Sequence, residues 1–191
     1  MAQRPTVSGV TFTERNIDFT GTDTLMPPAT SSVLQALAIG KGLFNYTCAG
    51  QSGDTAPTFD AQYTELYDAA PLIQVLPDQE SFAALIPMVF SYNYGEMRNS
   101  TMNCMGTIGT LNSTAVITLY DIDTFEVTRS ETLLAPDSPE KNAMWSHAYS
   151  ADGTWEIYRV ETFNGRPPAT CIKPEDSIEI EYAAEYWFYR N

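Results

Sequence analysis

Ser177-Ile178-Glu179-Ile180-Glu181-Tyr182-Ala183-Ala184-Glu185-Tyr186-Trp187-Phe188-Tyr189 has a period of two. Ile178, Ile180, Tyr182, Ala184, Tyr186 and Phe188 fall on one side, and Glu179, Glu181, Glu185 and Trp187 on the other. Successive side chains of a strand point to opposite faces, so this stretch is a strand whose Ile/Tyr/Phe face goes inward. It is expected to be the longest strand of the chain.

Upstream, Trp155 to Phe163 is a second strand, joined to Asn142–Tyr149 across Asp152-Gly153, a dipeptide that favours tight hairpins. On this hairpin Trp145, His147 and Tyr149 share one face, while Trp155, Ile157 and Arg159 share another. A cation in register with Trp and Ile is unusual for a strand that simply packs. Ala115–Tyr120 and Thr124–Leu134 alternate and are rich in β-branched residues, so they are strands as well. Tyr63–Tyr67, Leu72–Leu76 and Leu43–Ala49 read as further short strands. Thr30-Ser31-Ser32 before the apolar run Val33–Ala38 predicts one short helix, stopped at Gly40-Lys41-Gly42. Ser81–Phe90 fits a buried strand or a short helix, and periodicity does not decide. Residues 91–113 read as a long polar excursion, a frequent home of function. Many short strands with one helix predict an all-β, single-domain antiparallel barrel or sandwich over residues 30–191. Residues 1–29 are predicted to form an extended arm, with a strand at Val10–Phe12.

The composition fits that class. Of 191 residues 43% are hydrophobic and 18% charged, too apolar for a disordered chain. Ten Lys and Arg against 24 Asp and Glu give a net charge of −14, which disfavours nucleic acid and anionic membranes. No apolar run reaches the length of a membrane-spanning helix, so no membrane insertion is expected. The start, Met1-Ala2-Gln3-Arg4-Pro5, lacks the apolar core of a signal peptide, and fits a cytosolic start or a mature chain given a new Met.

One histidine and scattered cysteines argue against zinc, and no metal site is expected. Gly40-Lys41-Gly42 lacks the third glycine and the βαβ setting of a dinucleotide site. No nucleophile elbow or phosphate-binding loop is present. Asp121 and Asp123 share a strand face and fit either a hard cation or a solvated strand end. No cofactor is expected. His147 fits either a packed, hydrogen-bonded residue or a catalytic one, and Arg159 either an ion pair or a donor to a carbonyl oxygen. The aromatic walls of such a site would be Trp145, Trp155, Tyr182, Tyr186 and Phe188, suited to a small apolar or aromatic substrate. The segment around Tyr92, Tyr94 and Arg98 is the next candidate.

Three cysteines, Cys48, Cys104 and Cys171, leave one thiol free or paired elsewhere. A Cys48–Cys171 bridge would close a loop of more than a hundred residues, and three buried thiols are the alternative. N-x-S/T triplets begin at Asn45, Asn99 and Asn112, of which Asn99 and Asn112 lie in polar surroundings suited to glycosylation.

Ala38-Ile39-Gly40-Lys41-Gly42-Leu43-Phe44-Asn45-Tyr46-Thr47-Cys48, then Thr64-Glu65-Leu66-Tyr67-Asp68, then Tyr158 through Cys171 and Tyr182 through Tyr189 resemble, in order and spacing, a fungal secreted family of unknown function. Its members are often mislabelled malate dehydrogenase. The resemblance implies a β-rich single domain, a secretory-pathway protein and a Cys48–Cys171 disulfide. It also extends to fungal hetero-Diels–Alderases of tropolone–sesquiterpenoid biosynthesis, cofactor-free pericyclases that join a tropolone quinone methide to a humulene-type polyene. The expected function is therefore such a pericyclase, or else a secreted protein that binds a small apolar ligand without catalysis. Phe44 stands where the family commonly has a polar residue, and residues 88–142 find no match.

Overall fold

The structure is a computed structural model describing residues 24–191 apart from 51–53, 74, 77, 172 and 174–176. Eight strands run as an antiparallel meander, and the last closes on the first: β1 (Val33–Thr47), β2 (Thr58–Asp68), β3 (Cys104–Leu111), β4 (Thr114–Leu119), β5 (Asp123–Leu133), β6 (Trp145–Ser150), β7 (Trp155–Asn164) and β8 (Ser177–Arg190). The expected all-β single domain is thus a closed up-and-down barrel, a form that leaves no sheet edge unpaired. The expected strand at Val10–Phe12 lies outside the described residues.

Register fixes which side chains face the axis. Directly paired residues share a face. Ala36 pairs with Phe188, Ala38 with Tyr186, Gly40 with Ala184 and Gly42 with Tyr182. On β7, Ile157 pairs with Phe188 and Arg159 with Tyr186. These residues, with Phe44, Leu66, Ile108, Ile117, Leu119, Phe125 and Trp155, form the inner core. The small side chains of β1 leave room for the large ones of β8. A Cβ on Gly42 would collide with Thr64 and the Tyr63 backbone.

That requirement corrects two expectations. Val33–Ala38 is not a helix, and Gly40 and Gly42 do not stop one: both belong to β1, at 15 residues one longer than the 14-residue β8. The glycines punctuate nothing: Gly40 makes space for the Tyr186 ring of β8, and Gly42 for Thr64 and the Tyr63 backbone of β2.

Where one helix was expected, at Val33–Ala38, the described residues instead form four short ones between β2 and β3: α1 (Ala70–Ile73), α2 (Gln79–Ala83), α3 (Leu85–Ser91) and α4 (Tyr94–Arg98). Leu72–Leu76, expected as a strand, begins in α1 and then turns, and the undecided Ser81–Phe90 is helical. The polar excursion at 91–113 holds α4, closed by a capping box between Asn93 and Glu96, and then β3. α3 lies across the outer faces of β8, β7 and β1. There Ile73, Phe82, Ile86, Val89 and Met97 meet Leu37, Ile39, Tyr67, Tyr158, Val160 and Trp187 in a second core. β8 is therefore buried on both faces over Tyr182–Tyr189.

Cys48 and Cys171 form a disulfide across 123 residues, and Cys104 is free and exposed. The bridge ties the loop after β1 to the approach to β8. Neither cysteine lies in a strand, and beside the bridge the Cys171 amide donates to the Thr55 carbonyl at 2.8 Å, so the two segments are joined twice.

Candidate functional site

The barrel wall separates the residues expected to form one pocket. On β6, Ser146 pairs with Arg159 and His147 with Tyr158. Arg159 faces inward with Tyr186, so His147 and its neighbour two residues away, Trp145, face outward. Trp145 packs on the outer core. His147 is 1% exposed, stacks on Tyr158 at 4.4 Å between ring centroids, and sets Nε2 2.8 Å from Glu156 Oε1. The expectation that His147, Trp145 and Arg159 share a pocket is corrected: alternation along a hairpin puts the two sets on opposite sides of one wall.

The His147 cluster does a structural job. The Tyr158 hydroxyl lies 2.8 Å from Glu156 Oε1 and 2.7 Å from the Met26 carbonyl oxygen, and the Met26 amide donates to Glu131 Oε2 at 2.9 Å. The Ser32 hydroxyl donates to the other Glu156 oxygen at 3.2 Å. Burial, and next the hydrogen bond to Glu156, push the Tyr158 phenol well above its usual range. These contacts bind the segment before β1 to the outside of β5–β7.

Inside the barrel, Arg159, Tyr182, Tyr186, Phe188 and Trp155 do share a face, as the alternation predicts. They divide along its length. Trp155 is fully buried, stacks on Phe125 at 5.4 Å, and donates its indole N–H to Asp123 Oδ2 at 2.8 Å. With Phe188 it fills one end of the barrel as core. The Asp123 carboxylate of the possible cation pair is committed to that indole.

Toward the other end lies a polar chain. The Thr64 hydroxyl is 2.5 Å from the Tyr182 hydroxyl, which is 2.6 Å from that of Tyr186. Burial pushes both phenols up, and the Arg159 charge acts in opposition on each. The Arg159 guanidinium donates through Nη2 to the Met144 carbonyl at 2.9 Å, and its centre stands 5.2 Å from the Phe44 ring and 6.0 Å from that of Tyr182. Phe44 and Tyr182 are themselves stacked at 4.0 Å. Arg159 is 8% exposed, and its Nε–H has no partner among the described residues.

Three contributors escaped the sequence reading. Phe44 appeared only as a departure from a common pattern, Thr64 only within a motif. Arg129 continues the inward face of Phe125 and Val127, the same cation-after-apolar signal that marked Arg159. The Tyr92–Arg98 segment lies elsewhere, over the outer face. Tyr94 is 5.5 Å from the buried Lys41 ammonium, and Arg98 pairs with Glu65. Among the described residues no three His, Cys, Asp or Glu side chains converge as metal ligands would, and no helix is long and apolar enough to cross a membrane.

Asn99, which follows α4, and Asn112, in the β3–β4 turn, are both exposed. The turn conformation at Asn112 and Ser113, both with positive φ, is that of a tight two-residue hairpin.

No curated protein and no solved structure gives a significant match to the sequence. One family does, over residues 28–190, a span that begins before β1 and ends with the last residue of β8. That span takes in the barrel and the covering helices, and the chain belongs to the family of proteins of unknown function DUF3455.

Proposed function

We propose that the protein is a cofactor-independent pericyclase of the hetero-Diels–Alder type, joining a tropolone o-quinone methide to a humulene-type sesquiterpene. The observation that supports this reading best is the seating of Arg159 against the Phe44–Tyr182 stack on the inner wall, with one N–H uncommitted among the described residues. In the cycloaddition the carbonyl oxygen and the terminal carbon of the quinone methide bond to the two alkene carbons. One C–O and one C–C bond form, the seven-membered ring regains its conjugation, and no atom or electron leaves. Such a step needs the partners held in near-attack geometry and a donor where negative charge grows on oxygen. Flat aromatic faces serve the first need, and Arg159, backed by the Tyr186–Tyr182–Thr64 hydroxyl chain, serves the second.

The Cys48–Cys171 disulfide supports a place in the secretory pathway, where such bonds persist. Asn99 and Asn112 are exposed as glycan acceptors must be.

The second reading is a carrier that holds an apolar ligand without reaction. It is favoured by the outward orientation of His147, which leaves the inner wall without the chain's one histidine. Incubation with a hydroxymethyl tropolone and humulenol separates the two. The expected result is faster adduct formation with one predominant stereoisomer, falling about a hundredfold in Arg159→Gln, as when one donor to a developing oxyanion is removed. A product ratio and rate equal to those without protein leave the carrier reading.

A further inference from the structure

The charge of the chain is strongly negative, yet two inward-facing arginines stand near each other without a carboxylate. Arg159 and Arg129 both project from the inner wall, from β7 and β5 respectively. Neither takes part in a salt bridge among the described residues. Elsewhere the chain does provide partners: Lys41 reaches Glu181 at 3.4 Å, and Arg98 meets Glu65. The register brings them to one stretch of wall: Arg129 pairs with Ala148, which pairs with Ile157, two residues from Arg159 on the same inward face. Burial, and then Arg159, pull the Arg129 pKa below its ordinary value. Burial raises the Tyr46 phenol, while Arg159, Arg129 and Arg166 all act to lower it. Tyr46 and the exposed Phe59 form a ring pair at 5.8 Å, and Phe59 also meets Phe44 edge-on at 6.2 Å. These rings stand beside Phe44, over which Arg159 lies, and Arg129 reaches solvent.

We propose that this mouth of the barrel binds its ligand as an anion: a flat, conjugated oxyanion held between Arg129 and Arg159, against the Phe44–Tyr182 stack. Two guanidinium groups brought together in a partly desolvated space repel, and a shared anion turns that repulsion into charge-assisted hydrogen bonding. The unused Nε–H of Arg159 gives one donor, and the guanidinium fork of Arg129 gives more. A conjugated ring spreads the charge and stacks on aromatic faces, which an aliphatic carboxylate does not do. The inference rests on the barrel interior being the ligand site, as in the proposed function. It adds the ionisation state of what enters.

The test compares tropolone, at a pH where it is ionised, with O-methyltropolone, a neutral analogue of nearly the same shape. Binding is measured by titration calorimetry on the full chain. The expected result is that tropolonate binds at least about tenfold more tightly, as charge-assisted contacts to both arginines require. In Arg129→Gln the preference shrinks severalfold, and in Arg129→Lys it is largely kept. Arg129 lies on the inward face but reaches solvent, and circular dichroism checks that its variants fold. Equal affinity for the two probes, failure of both to bind, or a preference unchanged in Arg129→Gln overturns the assignment. Adduct formation without anion preference would spare the pericyclase reading and sink this one. Anion preference without adduct formation would do the reverse.

Discussion

Gly40 faces the ring of Tyr186 so closely that a Cβ at position 40 would stand 2.5 Å from Tyr186 Cε2 and 2.9 Å from Cδ2. The ring cannot swing aside cheaply, because its hydroxyl is bound to Tyr182 at 2.6 Å. Gly40→Ala is therefore expected to destabilise the fold by about 1–3 kcal/mol, the usual cost of overpacking a core. Urea unfolding followed by Trp fluorescence measures it. A stability equal to wild type would mean that the β1–β8 wall is looser than described.

The two faces of the β6–β7 hairpin predict opposite phenotypes. His147→Gln breaks the cluster that fastens Met26 and Ser32 through Glu131, Glu156 and Tyr158, and is expected to lower the melting temperature while folded molecules react normally. Arg159→Gln is expected to lower rate or affinity per folded molecule much more than stability. Turnover normalised to folded fraction, with melting curves alongside, checks both. The reverse pattern would place the chemistry on the outer face.

The cysteines make a simple count. Protein from an oxidising host should show one thiol reactive without denaturant, the exposed Cys104. Cys48→Ser with Cys171→Ser opens a link spanning 123 residues and is expected to cost up to about 4–5 kcal/mol on the chain-entropy account. Thiol titration and denaturant midpoints read the two numbers, and three reactive thiols in the native protein would contradict the disulfide.

Acid stability should depend on Glu65. Burial alone would raise its pKa, but hydrogen bonds from Arg98, Tyr67 and Tyr63 outweigh it and hold the carboxyl below its ordinary value of 4.5. A depressed pKa stabilises the fold above the unfolded value, and that stability is lost as pH falls below 4.5 through the folded value. Glu65→Gln should thus flatten the acid limb of the stability profile and cost about 1.5–3 kcal/mol near neutrality, the scale of hydrogen bonds to a charged group. Glu161 works with the opposite sign. Burial, and then Asp137, raise its pKa, so its contribution is greatest at low pH and declines as pH rises past the ordinary glutamate value. Glu161→Gln should remove that decline. A profile unchanged by either substitution would contradict these environments.

The alternation of Ser177–Tyr189 and of Trp155–Arg159 told which residues share a face, and the barrel keeps those faces intact. The Ile/Tyr/Phe face of β8 goes inward as expected, but the alternation does not show that helices bury the opposite face as well. Hence His147, correctly placed opposite Arg159 on its hairpin, was still drawn into the same pocket. β1 misled for a related reason. Ala36, Ala38, Gly40 and Gly42 look like helix-forming and helix-stopping residues, and only their neighbours explain them, the rings on β8 for the first three and Thr64 with the Tyr63 backbone on β2 for Gly42. A small residue set by a distant large one leaves no local signal. The disulfide needed the family resemblance, since spacing alone left two assignments open.

Burial of β8 on both faces also divides the molecule by its rate of opening. β1, β7 and β8 are walled by the inner core on one side and by helices on the other, whereas the outer faces of β3, β4 and β5 are largely open to solvent. Amide protons of Ala183–Phe188 are shielded on both sides of the sheet and are expected to exchange with deuterium only when the whole chain unfolds. Those of β3–β5 have a shorter path, by local fraying. The barrel is closed in its hydrogen bonding but unevenly covered: one half is a spine, and the other, which carries Arg129, is expected to open first.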